Sequence, residues 1–151
     1  MKMLRITALL SIMGAWLTAC GSLPGQVYMD KQGVAIHGYD PVAYFTAGQP
    51  TPGKAEFSHD HAGATWQFAS ARNKALFAKN PARYAPRYGG FCAYAMAKNS
   101  KAKIDPNAWK IVNGKLYLNY DAGIQRKWEK EEASMITAGD KNWAAMQDRE
   151  Q

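Results

Sequence analysis

Apolar and polar residues alternate most clearly between positions 55 and 84. Three aromatic residues stand there among polar neighbours in two short runs, as in strands that bury one face. The pattern predicts a hairpin, with strands over 56–61 and 65–68 and a turn over 62–64.

A helix is expected directly after this hairpin. Ser70 is a good N-cap, because its hydroxyl can accept a hydrogen bond from an amide of the first turn. Leu76 and Phe77 would then form the apolar face of a helix over 71–79. Asn80-Pro81 ends it, since the residue before a proline is disfavoured in the helical conformation.

A second hairpin is predicted further along the chain. Asn113-Gly114 is the strongest hairpin signal, because both residues tolerate the positive φ of a type I′ turn. This turn would join strands over 109–112 and 115–119, with Leu116 and Leu118 on one face.

The remaining elements are shorter or less regular. They are a strand over 34–36, a helix over 41–46 entered through Asp40 and Pro41, a helix over 91–98, a helix over 122–137 capped by Asp121, and a tail helix over 141–148 after Gly139. Together the elements predict an α+β fold, in which two hairpins form a small antiparallel sheet with helices packed around it.

Composition supports a globular chain and narrows its partners. Hydrophobic residues make up 47% of the sequence and charged residues 21%, which is ordinary for a folded domain. The formal charge is +7, but the basic residues are scattered, and Lys98, Lys101 and Lys103 form no more than a loose cluster. We therefore expect a solvated cationic surface and no nucleic-acid partner.

The first residues have the pattern of an export signal. Lys2 and Arg5 precede an apolar run over 6–17 that is too short to span a bilayer comfortably. The run ends in Leu17-Thr18-Ala19-Cys20, which resembles the lipobox of bacterial lipoproteins. The resemblance implies that Cys20 is lipidated and becomes the mature N-terminus; a plain secretory signal is the alternative.

The same resemblance predicts where the protein resides. Residue 21 is glycine rather than aspartate, which favours sorting to the outer membrane. We expect a lipoprotein held to the membrane by its N-terminal lipid, on the periplasmic face of the outer membrane. Loss of Lys2 and Arg5 lowers the formal charge from +7 to +5 and leaves Cys92 as the remaining free thiol.

Several motifs follow one another in the order of a known domain family. They are Gly38-Tyr39-Asp40-Pro41-Val42-Ala43-Tyr44-Phe45, Trp66-Gln67-Phe68-Ala69-Ser70, Phe77-Ala78-Lys79-Asn80-Pro81 with Tyr84, Tyr88-Gly89-Gly90-Phe91-Cys92-Ala93-Tyr94, and Gly114-Lys115-Leu116-Tyr117-Leu118-Asn119-Tyr120. In order and spacing they resemble the YHS domain of secreted or lipid-anchored proteins. YHS domains are similar to the TRASH domains of heavy-metal sensors and copper-transporting ATPases, whose treble-clef-like core is a hairpin followed by a helix, with cysteines that hold a metal.

The resemblance covers about residues 34–120 and divides the chain. Together with the lipobox-like export signal, it implies a signal peptide over 1–19, a lipidated cysteine and tether over 20–33, a YHS-like domain with its C-terminal helix over 34–138, and a short helical tail over 139–151.

The sequence departs from the metal-binding pattern at three positions. Asp40, Ala69 and Asn73 stand where the resemblance implies cysteines. A tetrahedral zinc–thiolate site therefore cannot be carried over. We expect the hairpin–helix core to form without the metal cysteines, stabilised by its aromatic residues.

Other residues are candidates for a different metal site. His59 and His61 are two apart on a predicted strand, so their side chains share one face and can chelate together. Cys92 and Met96 are four apart on a predicted helix, and His37 lies in a turn-like segment. Imidazole suits copper and zinc, while thiolate and thioether suit Cu(I).

The favoured interpretation is a lipid-anchored periplasmic protein that binds a transition-metal ion, copper before zinc, in envelope metal handling. Its partner would be a metal-handling or envelope protein. The alternative is a metal-free binding module for a small molecule or a protein, in which the histidines are merely solvated. Its aromatic pocket would be formed by Tyr39, Asp40, Tyr44, Trp66 and Tyr94.

Catalytic patterns are weak. Cys92 would lie in the first turn of its helix, which favours a thiolate, but the sequence places no histidine beside it. The chain has no glycine-rich phosphate loop, nucleophile elbow or paired-carboxylate signature. We expect no enzymatic activity.

Overall fold

The computed structural model describes residues 26–150, so the predicted signal peptide and Cys20 lie outside the described residues. The helices and strands are α1 (Ala43–Thr46), β1 (Lys54–His61), β2 (Ala64–Phe68), α2 (Ala71–Lys79), α3 (Pro81–Tyr84), α4 (Ala93–Ala97), β3 (Asp105–Val112), β4 (Lys115–Asn119), α5 (Ala122–Lys130) and α6 (Glu132–Arg149). The predicted α+β fold is confirmed. The two hairpins, however, form separate two-stranded antiparallel sheets.

The first hairpin and its helix form as predicted. β1 pairs with β2 so that His59 lies opposite Trp66. Ser70 caps α2, accepting a hydrogen bond from the backbone N of Asn73 at 3.1 Å. The chain leaves this helix at Asn80, and Pro81 then begins the single turn of α3.

The second hairpin divides the core into two parts. Asn113 and Gly114 have positive φ angles of 51° and 72°, as the predicted turn requires. Alternate side chains of β4 point in opposite directions. Leu116 and Leu118 join one buried cluster, whereas Tyr117 joins the other.

The first cluster is formed mainly by residues of the N-terminal half of the chain. The second packs against α6. The largest side chains of the first are Tyr44, Trp66, Phe68, Phe77 and Tyr84. The second contains Tyr88, Phe91, Ala93, Met96, Tyr117, Trp128 and Met135. Both clusters lie wholly within 26–150, so this segment contains its own core.

The helical break predicted at Gly139 is wrong. α6 runs without interruption from Glu132 to Arg149, and the break occurs earlier, at Glu131 (φ −130°). Residue 139 has to be small because the hydroxyl of Tyr88 packs against it. A Cβ at Gly139 would come within 2.5 Å of that oxygen.

The helix predicted over 91–98 is shorter than expected. Cys92 has an extended ψ of 121° and precedes α4 as its N-cap, so it does not share a helix face with Met96. The two side chains belong to different core clusters, Cys92 to the first and Met96 to the second.

Val27 is buried, so the packed part of the fold begins inside the segment over 20–33 predicted to be a tether. The strand predicted over 34–36 is reduced to isolated bridges, of Val34 with Thr65 and of Met29 with Ala35. It cannot continue, because Ile36, His37 and Gly38 have positive φ angles and form a 3₁₀ turn. Among residues 26–150, no helix has the length and apolar character needed to cross a membrane.

Candidate ligand-binding site

A cavity of about 280 Å³ lies between α4, α5 and the end of β4. Its walls are almost wholly apolar. They are formed by Cys92, Tyr94, Ala95, Ala102, Tyr120, Asp121 and Ile124. We call this feature the Cys92 cavity. Tyr120 and Asp121 are both exposed, so the cavity reaches the surface beside them.

Asn119, the last residue of β4, is fully buried next to the Cys92 cavity. Its Oδ1 accepts hydrogen bonds from the backbone N of Tyr94 at 3.0 Å and from the Cys92 thiol at 3.7 Å. Both of these partners line the cavity. Its Nδ2 has no hydrogen-bond partner among the described residues. A buried donor in this state is costly, and Asn119 stands behind the cavity wall because it is not itself a lining residue.

The Cys92 thiol is buried and protonated. Burial raises the pKa of Cys92 above its ordinary value, and nearby backbone N–H groups lower it by less. Cys92 is the free cysteine of residues 26–150. A neutral thiol acts as a small apolar wall and a weak donor.

Of the pocket residues expected from the sequence, Tyr94 lies at the cavity. Tyr44 and Trp66 are buried in the first core cluster. The Tyr44 hydroxyl donates to the carbonyl oxygen of Pro106 at 2.8 Å. Tyr39 is half-buried and packs against the same cluster, and it is not one of the residues that line the cavity.

Asp40 has a structural role instead of a role in a pocket. It is fully buried, and Oδ1 accepts hydrogen bonds from the backbone N of Val42 and of Ala43, at 2.8 and 3.2 Å. Oδ2 accepts from the backbone N of Ala69 at 2.9 Å and from Asn73 Nδ2 at 2.7 Å. The three positions at which the resemblance implies metal cysteines are therefore joined by hydrogen bonds around one carboxylate.

His59 and His61 lie on the same face of β1, as their spacing predicts. Both rings contact Phe77 of α2 edge-on, with centroid separations of 6.2 and 5.6 Å. Both residues are half-buried. The side chain of Asp60, between them, accepts a hydrogen bond from Thr65.

The five candidate ligands do not converge. His37 Nε2 lies 3.2 Å from the Tyr28 hydroxyl and 3.3 Å from the carbonyl oxygen of Ile104. Cys92 and Met96 are buried in separate clusters. Within the described part of the chain, no three His, Cys, Asp or Glu side chains are grouped so that they could hold a metal ion.

Sequence reasoning missed most of the cavity. Asn119 carried a signal, because a polar amide directly follows the apolar run Leu116-Tyr117-Leu118 of a hairpin strand. Ala102 and Ile124 carried no such signal, since they reach the cavity through the packing of a loop and of α5 onto α4.

The chain matches no family model, no curated protein and no solved structure at a significant level.

Proposed function

We propose that this protein is a metal-free binding module that takes a small, largely apolar molecule into the Cys92 cavity. The observation that carries the proposal is an almost wholly apolar cavity, two of whose lining residues, Cys92 and Tyr94, are held by the buried side chain of Asn119. Largely apolar walls with a few polar groups are typical of small-molecule sites.

The cavity volume limits the size of the ligand. A water molecule occupies about 30 Å³ of liquid, so the 280 Å³ available holds about nine non-hydrogen atoms. Each methylene that the cavity buries contributes about 0.8 kcal/mol, and a bound molecule remains partly exposed because the cavity is open on one side.

Titration with 1-octanol, a neutral molecule of about nine non-hydrogen atoms, tests the proposal. Isotope-labelled protein comprising residues 21–151 contains both core clusters and allows amide shifts to be followed by NMR. We expect saturable shifts at the amides of Cys92, Tyr94 and Ala95.

Ala102→Phe should abolish these shifts, because the ring would occupy the cavity. Ala78→Phe is the matched control, since Ala78 is exposed on α2, which does not line the cavity. Shifts spread over the whole surface, or binding that survives Ala102→Phe, would overturn the proposal.

A second candidate function is binding of copper or zinc by His59 and His61. The supporting observation is that both imidazoles share one face of β1 and pack on the same ring of Phe77. Two imidazoles make an incomplete site, so water or a partner protein in envelope metal handling would complete the coordination.

Titration with Cu(II) and Zn(II) against a competing chelator tests this second function. We expect binding that is lost in His59→Ala with His61→Ala and retained in His37→Ala, whose imidazole already has protein partners. Loss of binding in Cys92→Ala instead would contradict this site.

We further propose that the protein is a lipid-anchored member of the YHS-like proteins, held on the periplasmic face of the outer membrane through Cys20. The order of charged, apolar and small residues before Cys20 supports this. Incorporation of labelled palmitate in a Gram-negative host should be lost in Cys20→Ala. Equal labelling of that variant would refute the anchor.

A further inference from the structure

Two lysines lie against aromatic rings that line the Cys92 cavity. Lys98 Nζ lies 5.6 Å from the centre of the Tyr94 ring, and Lys103 Nζ lies 5.0 Å from the centre of the Tyr120 ring. Both rings line the cavity, and both lysines are exposed. The apolar cavity therefore has a cationic rim.

The acidic residue at the cavity is already engaged. Asp121 Oδ1 accepts a hydrogen bond from the backbone N of Ile124 at 2.7 Å, as the N-cap of α5. Its charge interacts with the positive end of that helix. Two ammonium groups against one capping carboxylate leave the rim with a net positive charge.

We propose that the ligand of the Cys92 cavity is a free single-chain anionic amphiphile, whose apolar chain enters the cavity and whose carboxylate or similar head lies between Lys98 and Lys103. This inference rests on the proposed function and adds the ligand class to it. The complementary charge of the rim favours an anion over a neutral or cationic molecule of equal length.

The shape of the cavity favours one chain over two. Its 280 Å³ takes about nine non-hydrogen atoms, which is a single short alkyl chain or the end of a longer one.

Three unbranched ligands of eight carbons each separate the effect of the head from that of the chain. Octanoate, 1-octanol and octylammonium are titrated by calorimetry into the protein comprising residues 21–151. We expect octanoate to bind about tenfold more tightly than 1-octanol, and octylammonium more weakly than either, as two screened lysine contacts allow. The octanoate preference should shrink at high salt.

Lys98→Gln with Lys103→Gln should reduce the preference for octanoate over 1-octanol to about twofold. Lys115→Gln with Lys141→Gln is the control, because both of those lysines are exposed and neither contacts a ring that lines the cavity. Ala102→Phe should abolish binding of both ligands.

The outcomes separate the two proposals. If octanol and octanoate bind the unmodified protein equally, or if the octanoate preference persists in full in Lys98→Gln with Lys103→Gln, the anionic ligand is refuted while the cavity function stands. If neither ligand responds to Ala102→Phe, the cavity function itself fails. If anionic phosphatidylglycerol vesicles bind the protein and octanoate does not compete, the free amphiphile is refuted in favour of a membrane lipid.

Discussion

Asp40 joins three parts of the fold through one buried carboxylate. Its oxygens hold the first turn of α1 and the end of the first hairpin, and they bind the side chain of Asn73 on α2. Each of these N–H groups would lose its partner if the carboxylate were removed, and buried donors without partners are costly.

Asp40→Ala should lower the free energy of unfolding by about 3 kcal/mol or more. Asp40→Asn keeps the shape of the side chain but replaces one acceptor oxygen with a donor. It should lower the free energy of unfolding by about half as much as Asp40→Ala. Urea unfolding measures both. A change below about 1 kcal/mol for Asp40→Ala would contradict the role given to this carboxylate.

Cys92 should react slowly with thiol reagents in the folded protein. Burial raises the pKa of its thiol, and thiolate is the reactive form. The rate of alkylation should therefore rise at a more alkaline pH than that of a free cysteine, whose pKa is about 8.5.

Rates of iodoacetamide modification in native protein and in urea, compared across pH, measure this effect. Bound octanoate should slow the native reaction further, because Cys92 lines the proposed site. A native rate equal to that in urea would show that the thiol is accessible and ionised.

Most elements could be predicted from sequence because their signals are local. Ser70 and Asp121 do cap helices, and Asn113-Gly114 does form a hairpin turn. The errors arose where long-range packing determines the local structure. Gly139 reads as a helix breaker in the sequence, yet in the fold it is the residue that admits the ring of Tyr88.

Gly139→Ala tests this packing within α6. In an exposed helix this change would stabilise by about 1 kcal/mol, but here the added Cβ meets the Tyr88 hydroxyl. We expect a net loss of about 1–3 kcal/mol from overpacking. Gly123→Ala in α5, where the nearest atom is a carboxylate oxygen at 3.2 Å, serves as the control and should be nearly neutral. Stabilisation by Gly139→Ala would contradict the packing.

The site was harder to predict than the elements because it is made by several of them. Tyr94 was identified as a pocket residue, and the lining residues Ala102 and Ile124 come from segments without local chemistry. Asp40 was predicted both as a cap and as a pocket residue, and the structure shows the cap. Residue type indicates chemistry, but convergence in space depends on the whole fold.

Several buried hydroxyls and a thiol make the whole molecule sensitive to alkali. Burial raises the pKa of Tyr44 and of Tyr88, and for Tyr88 the neighbouring Asp140 raises it further. The same direction holds for Cys92. In the unfolded chain these groups ionise near their ordinary values, so at high pH the unfolded state binds fewer protons than the folded state.

The free energy of unfolding should therefore have its full value below about pH 8.5 and fall as the pH rises through about 10. Each tyrosine should contribute a slope of up to about 1.4 kcal/mol per pH unit. Urea unfolding at a series of pH values measures the slope. Tyr88→Phe should make the slope shallower. A constant unfolding free energy up to about pH 11 would contradict the buried state of these phenols.

Close packing around Gly89 also determines how the folded domain would respond to a pull from its N-terminus. A Cβ on Gly89 would overlap the carbonyl oxygen of Gln26, and the backbone N of Tyr28 donates to Gly89 O at 2.9 Å. Tyr28 O in turn accepts from the backbone N of Ile36 at 3.1 Å. In a protein tethered to a surface through residues before Gln26, tension reaches these bonds before either hairpin. The segment from Val27 to Ile36 would be the first mechanical yield point, and its last residues would pass the load to β2 through the bridge between Val34 and Thr65.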